Sequence, residues 1–296
     1  MTTIAPALTE LVGSPAAPDS LKDADNLSFL AGQPADVRAV WLERCRLLRW
    51  VDQLAERDRR GFGWFLRAWR AGEHSRFVPE GWGEYAKFVH AIGRAWAPTS
   101  LFEQERALRT WAHWLDALAA DYGRSLVPAT LDQHDEMAEH VGGFFTLFPY
   151  LTADQRQSIE AFGALDQAWN NVRDIAEDAA AGRCYFPELE LNRFQLSRHS
   201  VIGGGARRYL GWVDFMSFWL GEHLPRLRER ASAFLSATDL HPSVGAMRAS
   251  CLRRYERIER VMRAVDFDYR AFPEAYEAEV RRELAAMALG AKEITT

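Results

Sequence analysis

The stretch 165–187, LDQAWNNVRDIAEDAAAGRCYFP, constrains the chain more than any other. Wound as an α-helix at about 100° per residue, it places Leu165, Trp169, Val172 and Ala176 on one side and Gln167, Asn170, Asn171, Asp174 and Asp178 on the other. One face belongs to a core and the other is a dense polar stripe. Asn170, Asp174 and Asp178 follow at i, i+4 and i+8, so an amide and two carboxylates project from adjacent turns. Exposed carboxylates at that spacing repel by a few tenths of a kcal/mol per pair. A divalent cation reverses the sign, and Mg²⁺ is held by one or two carboxylates together with substrate phosphate oxygens. Taken alone, an acidic pair of this kind reads as a solvated helix face, since such pairs are common on helices.

The rest of the chain reads as helix too. From Ala35 onward the apolar period is that of helices over roughly 36–59, 61–72, 82–95, 102–122, 131–147, 152–181, 205–235, 243–264 and 271–289, with breaks at Gly, Pro or Asn. No strand alternation of useful length and no repeat interrupts them. With no shift of composition along the way, the expectation is one all-α domain over 28–290, a mobile tail over 1–27 rich in Ala, Pro, Ser, Thr and Asp, and a short tail at 291–296. At 296 residues and 48% hydrophobic the chain can bury a sizeable core, and a net charge of −5 argues against nucleic acid as the main partner. Cys45, Cys184 and Cys251 are too scattered for a disulfide framework, and no apolar run is long enough to span a bilayer. A cytoplasmic location is the expectation.

A second helix repeats the pattern of the first. Val40, Leu47, Val51, Leu54 and Ala55 make its apolar stripe, while Cys45, Arg49, Asp52 and Glu56 share the opposite side. Arg49 stands one turn before the acidic pair, where a guanidinium can grip phosphate with two nitrogens. Two acidic pairs on two helices, facing one another across a cavity, make a cation site a stronger reading than either pair supports by itself.

These residues give the chain its resemblance to the squalene/phytoene synthase family. The family's second acidic motif, QxxNxxRDxxED followed by GRxYxP, is matched by Gln167, Asn170, Arg173, Asp174, Glu177 and Asp178, then Gly182, Arg183, Tyr185 and Pro187. Its first motif, RxxDxxxD, is similar to Arg49, Asp52 and Glu56, with Glu for the last Asp. The VAGxVG segment resembles 137–142, keeping Ala138, Val141 and Gly142, and Tyr255, Ile258, Phe267, Asp268 and Tyr269 resemble the family's C-terminal pattern.

The resemblance implies a single-domain, isoprenoid-synthase-like helical bundle around a central cavity, and a prenyl-transferring enzyme of isoprenoid biosynthesis. It implies Mg²⁺ as cofactor, with Asp52, Glu56, Asn170, Asp174 and Asp178 as ligands. Arg49, Gln167, Arg183 and Tyr185 become binding residues, and Asp52, Asn170, Arg173, Asp174 and Asp178 the catalytic set. Prenyl diphosphate is the implied substrate: its diphosphate departs, and an aromatic wall shields the allylic cation left behind.

Departures from the pattern fall mostly in the first half of the site. Glu56 is a methylene longer than the expected Asp, Cys45 stands where the family commonly has Tyr, and the segment after Ser28-Phe29 is short. Glu139 and His140 replace small residues, and Phe145 joins the face of Ala138 and Gly142, where it would narrow a channel. The main reading is head-to-head condensation of two prenyl diphosphates. Transfer of one prenyl group to an aromatic acceptor is the second, motivated by Cys45 and a polar Glu139-His140 pair in the channel, and a scaffold without turnover is the third. Three further features read as non-catalytic: the 134–140 cluster of His, Asp and Glu as a solvated face, Gly203-Gly-Gly205 as a flexible turn or lid hinge, and the Arg-rich C-terminal helices as surface. A peripheral membrane contact is compatible with a greasy substrate, but no sequence feature demands one.

Overall fold

The computed structural model describes residues 20–75, 83–96, 101–122 and 127–293, and among them every regular element is a helix. This bears out the all-α expectation. The longer elements are α1 (Ser20–Asn26), α2 (Ala35–Arg57), α3 (Arg59–Ser75), α4 (Gly83–Ala95), α5 (Leu101–Tyr122), α6 (Leu131–Gly142) and α7 (Ala153–Arg173). After the short α8 (Ile175–Ala180), α9 (Glu188–Arg193) and α10 (Arg198–Ile202) come α11 (Gly211–Phe218), α12 (Leu224–Arg230), α13 (Ser232–Ser236), α14 (Pro242–Ala264) and α15 (Phe272–Glu293).

Helix α7 is the centre of the bundle, packed against α6, α8, α12, α13 and α14. Its start is fixed by a capping box in which Thr152 accepts from the Gln155 amide at 3.3 Å and the Gln155 side chain accepts from the Thr152 amide at 3.1 Å. Such a cap stabilises a helix by about 1 kcal/mol. Against α6 the two backbones come unusually close: a Cβ on Gly142 would run into the Gly163 carbonyl, and one on Gly163 into the Gly142 carbonyl. Only glycine at both positions permits that crossing. Large rings fill the rest of the core, including Trp41, Trp111, Trp212, Trp219, Phe162 and Phe215, all essentially inaccessible. The indole N–H groups of Trp41, Trp96 and Trp212 reach Ser243 Oγ, the Leu147 carbonyl and the Phe267 carbonyl at 2.8–2.9 Å, while those of Trp69, Trp111 and Trp219 are buried without an acceptor among the described residues.

Several expectations are corrected. Residues 20–26 are not tail: α1 is anchored by Asp25, which receives Arg257 and, at 3.2 Å, the Tyr276 hydroxyl. Residues 1–19 lie outside the description. At the other end α15 continues to Glu293. The helix expected over 131–147 tightens into a 3₁₀ turn at Gly143–Leu147. The one expected over 205–235 starts at Gly211 and widens into a π turn at Trp219–His223, directly before Pro225, whose missing N–H frees a carbonyl one turn earlier. Gly203-Gly-Gly205 is a pinned turn, not a hinge: Gly204 sits at φ +67° under the Arg270 guanidinium, which donates to the Gly203 carbonyl at 3.2 Å.

The Arg-rich C-terminal helices are not all surface, since Arg254 and Arg257 are only 5% and 3% exposed. Nor is the 134–140 segment uniformly solvated. Glu136 and His140 are exposed, but His134 and Asp135 are buried against His223. Asp135 receives Arg226 at 2.8 Å and Arg230 at 3.0 Å, so two guanidiniums already supply the positive charge this carboxylate faces. The cluster ties α6 to α12 and the π turn.

Candidate active site

The helix 152–181 of the sequence reading divides at Asp174, which closes α7 with φ −100° and ψ 9° and opens α8. The hydrogen-bond ladder nevertheless runs through: Asp174 N–H donates to the Asn170 carbonyl and Asp178 N–H to the Asp174 carbonyl, both at 2.9 Å. Asn170, Asp174 and Asp178 therefore stay on one face, and all three line a single cavity of about 330 Å³. Helix α8 ends in a turn in which Gly182 N–H bonds the Ala179 carbonyl at 3.0 Å and Arg183 N–H the Asp178 carbonyl at 2.7 Å. That closure needs a left-handed residue, and Gly182 supplies it at φ +75°. The turn brings the Arg183 side chain back over Asp178, Nε to Oδ1 at 3.1 Å. The Gly-Arg of the motif is thus a device for laying a guanidinium on the last carboxylate.

From the opposite wall α2 contributes Cys45, Arg49, Asp52 and Glu56 to the same cavity. The structure brings together every site residue expected from sequence: Arg49, Asp52, Glu56, Gln167, Asn170, Arg173, Asp174, Asp178, Arg183 and Tyr185 all line it. Glu139 and His140 do not. Glu139 is paired with Arg230 and His140 is exposed, so the polar pair that motivated an aromatic acceptor lies off the channel. Phe145 does line the cavity, beside Phe29, Trp41, Trp114, Phe144 and Phe148, which make its apolar end.

Cations already crowd the acidic groups. Arg173 grips Asp174 with two nitrogens, Nε to Oδ1 at 2.9 Å and Nη2 to Oδ2 at 2.7 Å, and Lys22 of α1 reaches Asp174 at 3.0 Å and also binds Glu177. Burial pushes the Asp174 carboxyl up, but Arg173 and Lys22 overcome it and hold the group down at about 2. On the other side Arg49 binds Asp52 at 2.6 Å and Asp23 of α1 at 3.1 Å. Helix α1 therefore touches both acidic motifs. Burial raises the Cys45 thiol to about 12, so it stays neutral and offers neither charge nor nucleophile.

Sequence reasoning missed Lys22 and Asp23, which fell in the expected tail, and it missed a buried network behind Asn170. Asp166 accepts from Tyr255 Oη at 2.7 Å, from Arg254 and from Asn170 Nδ2 at 3.0 Å. The signal was there: an Asp next to Leu165, toward the core side of an otherwise amphipathic helix. Among the described side chains, Asn170 Oδ1 is buried with no hydrogen-bond partner. An acceptor left open in a cavity lined by the carboxylates of Asp52, Glu56, Asp174 and Asp178 suits a hard cation that takes oxygen ligands. Asp52, Glu56, Asn170, Asp174 and Asp178 thus have the donor chemistry that Mg²⁺ requires.

The squalene/phytoene synthase family matches residues 32–282, and the chain belongs to that family. It is similar to a 15-cis-phytoene synthase of Synechococcus elongatus, with 36% identity over 72 residues, a match that spans 24% of this chain and 23% of that relative's length. Among solved structures, a dehydrosqualene synthase in complex with ligand superposes with a TM-score of 0.61 at 15% identity, covering 88% of this chain and 92% of that one. This likeness shows the fold. The squalene synthase HpnC from Alicyclobacillus acidocaldarius follows at a TM-score of 0.49 and 16% identity, covering 81% and 99%. At the level of the family, the chemistry is head-to-head condensation of prenyl diphosphates. Among the described residues no helix is long and apolar enough to cross a membrane.

Proposed function

We propose that the protein is a Mg²⁺-dependent prenyl transferase that ionises an allylic prenyl diphosphate and joins it head to head with a second one. The observation that carries this reading is the convergence of both acidic motifs on one cavity whose other end is aromatic. Bound Mg²⁺ supplies charge neutralisation to the diphosphate as it leaves. Asp52, Glu56, Asn170, Asp174 and Asp178 are the residues to hold it, while Arg49 on the α2 wall and Arg183 on the α7–α8 wall are the donors for phosphate oxygens. Arg173 serves differently, since two of its three guanidinium nitrogens, Nε and Nη2, are committed to Asp174 and fix the orientation of that carboxylate.

In the step these groups support, the allylic C–O bond breaks and its electron pair leaves with the diphosphate. A C–C bond then forms to the double bond of the second chain as a proton is given up; departure of the second chain's diphosphate and loss of a second proton would leave the hydrocarbon. Phe29, Trp41, Phe144, Phe145 and Phe148 line the space where the cation would stand; they exclude water and offer ring faces to positive charge.

The test is direct. Purified protein incubated with Mg²⁺ and prenyl diphosphates of increasing length should release pyrophosphate and yield a hydrocarbon with twice the carbon count of one substrate. Pyrophosphate release that requires an added aromatic acceptor would refute head-to-head coupling.

A further inference from the structure

An asparagine holds a cation only through its carbonyl oxygen, and nothing in the backbone of α7 decides which end of the Asn170 amide faces the site. The deciding group lies one turn earlier. Asp166 is 3% exposed, and its Oδ2 accepts from Asn170 Nδ2 at 3.0 Å. Its other oxygen, Oδ1, accepts from the Tyr255 hydroxyl at 2.7 Å and from the Arg254 guanidinium.

A carboxylate only accepts, so an amide against it must present its NH₂ group. Oδ1 is then the one atom Asn170 has left to offer, and it is the buried oxygen without a hydrogen-bond partner. The parts that hold Asp166 are themselves fixed. Arg254 donates to Asn26 Oδ1 at 2.8 Å, and Tyr255, 1% exposed, stacks on Trp169 with ring centroids 5.6 Å apart and planes 7° from parallel. With both its oxygens held by buried donors, the Asp166 carboxylate has one arrangement to offer Asn170. Asp166 lies just outside the motif that begins at Gln167; it borders the same cavity, but both its oxygens are taken, one by Asn170 and the other by Tyr255 and Arg254 of α14.

We propose that Asp166 is a positioning residue that locks the Asn170 amide with its carbonyl oxygen presented to the cation. The inference rests on the reading of Asn170 as a metal ligand. It predicts an exchange of polarity that can be reversed. In Asp166→Asn, the amide oxygen can keep both the Tyr255 and Arg254 bonds while its NH₂ replaces Oδ2, so Asn170 turns round and shows the cation an NH₂. Adding Asn170→Asp restores an acceptor toward residue 166 and leaves a second oxygen for the metal.

Mn²⁺ binding to the full chain, followed by electron paramagnetic resonance, reads this without turnover, and melting temperature without metal reports the fold separately. Asp166→Asn should weaken Mn²⁺ by about 10- to 100-fold, the range for groups that orient a ligand. The Asp166→Asn/Asn170→Asp double variant should return to wild-type affinity. A double variant as weak as the single one overturns the proposal. So does wild-type affinity in Asp166→Asn when Asp174→Asn has lost binding, an outcome that leaves the metal reading standing. Undiminished binding in Asp174→Asn overturns the metal reading and this inference with it. If Asp166→Asn does not fold, Tyr255→Phe takes its place: loss of that hydroxyl should weaken Mn²⁺ roughly three- to tenfold, the worth of one hydrogen bond, and unchanged affinity overturns the proposal.

Discussion

The two acidic walls of the cavity are built to different standards. On the α7–α8 wall each group has a dedicated partner: Asn170 has Asp166, Asp174 has Arg173 and Lys22, and Asp178 has Arg183. Asp178 is 8% exposed and the Arg173 side chain 10%. On the α2 wall Arg49 and Asp52 are about a third exposed, and Arg49 divides itself between Asp52 and Asp23. A carboxylate gripped by committed partners, as Asp174 is at 22% side-chain exposure, keeps its geometry when the substrate arrives, whereas the more exposed Arg49–Asp52 pair is softer and adapts. On the proposed function, the comparison assigns the α7–α8 wall to setting the position of a bound cation and the α2 wall to adjusting to the diphosphate brought to it.

The contrast can be broken most severely at Asp174. Asp174→Asn should lower pyrophosphate release at least about a hundredfold, because the metal supplies several kcal/mol of charge stabilisation and each 1.4 kcal/mol is a factor of ten. Normal turnover in this variant would remove the metal assignment from the α7–α8 wall.

The rigidity of that wall is tested next, through its support. Gly163→Ala forces a methyl into the Gly142 carbonyl, and overpacking of this kind costs about 1–3 kcal/mol, seen as a lowered melting temperature in the absence of any ligand. A melt identical to wild type would mean that α6 and α7 can part without penalty.

On the α2 wall smaller effects are expected. Glu56→Ala should raise the Mg²⁺ concentration for half-maximal rate by about tenfold or less, and Glu56→Asp should be tolerated, since Mg²⁺ keeps several waters that can absorb a displaced ligand. An effect of Glu56→Ala as large as that of Asp174→Asn would erase the distinction between the walls.

The smallest change is expected at Lys22, whose ammonium is paired with Asp174 and would compete with a bound metal for it. Its ion pair is partly exposed, and such pairs contribute about 0.2–1 kcal/mol, so Lys22→Ala should tighten Mn²⁺ by a few-fold at most. The same variant lets the Asp174 carboxyl rise from about 2, which places metal release at a higher pH than in the wild type. A metal-release pH that does not move would show that Lys22 leaves Asp174 in solution.

Much of this was legible without coordinates, and the reason is local. The faces of α2 and α7 are set by helical period alone, and Gly182-Arg183 announces a turn that only a left-handed residue can make. What escaped was long-range in sequence. Asp25, Asp166 and Asp135 look like ordinary surface acids until Arg257, Arg254, Arg226 and Arg230, some 90 to 230 positions away, are folded onto them. The seven residues of α1 are too few to form a stable helix unaided, so no periodicity within 20–26 could separate them from a tail. The polar channel expected from Glu139 and His140 failed for a related cause: their direction depends on which side of α6 meets α7, and the Gly142–Gly163 crossing turns that side inward.

By itself, then, the sequence determined an all-α chain, the family to which it belongs, and the residue types at each acidic motif, because motif spacing and helical period are properties of neighbouring residues. The tertiary structure decided that the two motifs share one cavity, that α1 bridges them, and which way the Asn170 amide is held. Those depend on contacts between residues distant in the chain, and burial makes such contacts binding, since a charge or amide removed from water must find its partner within the fold.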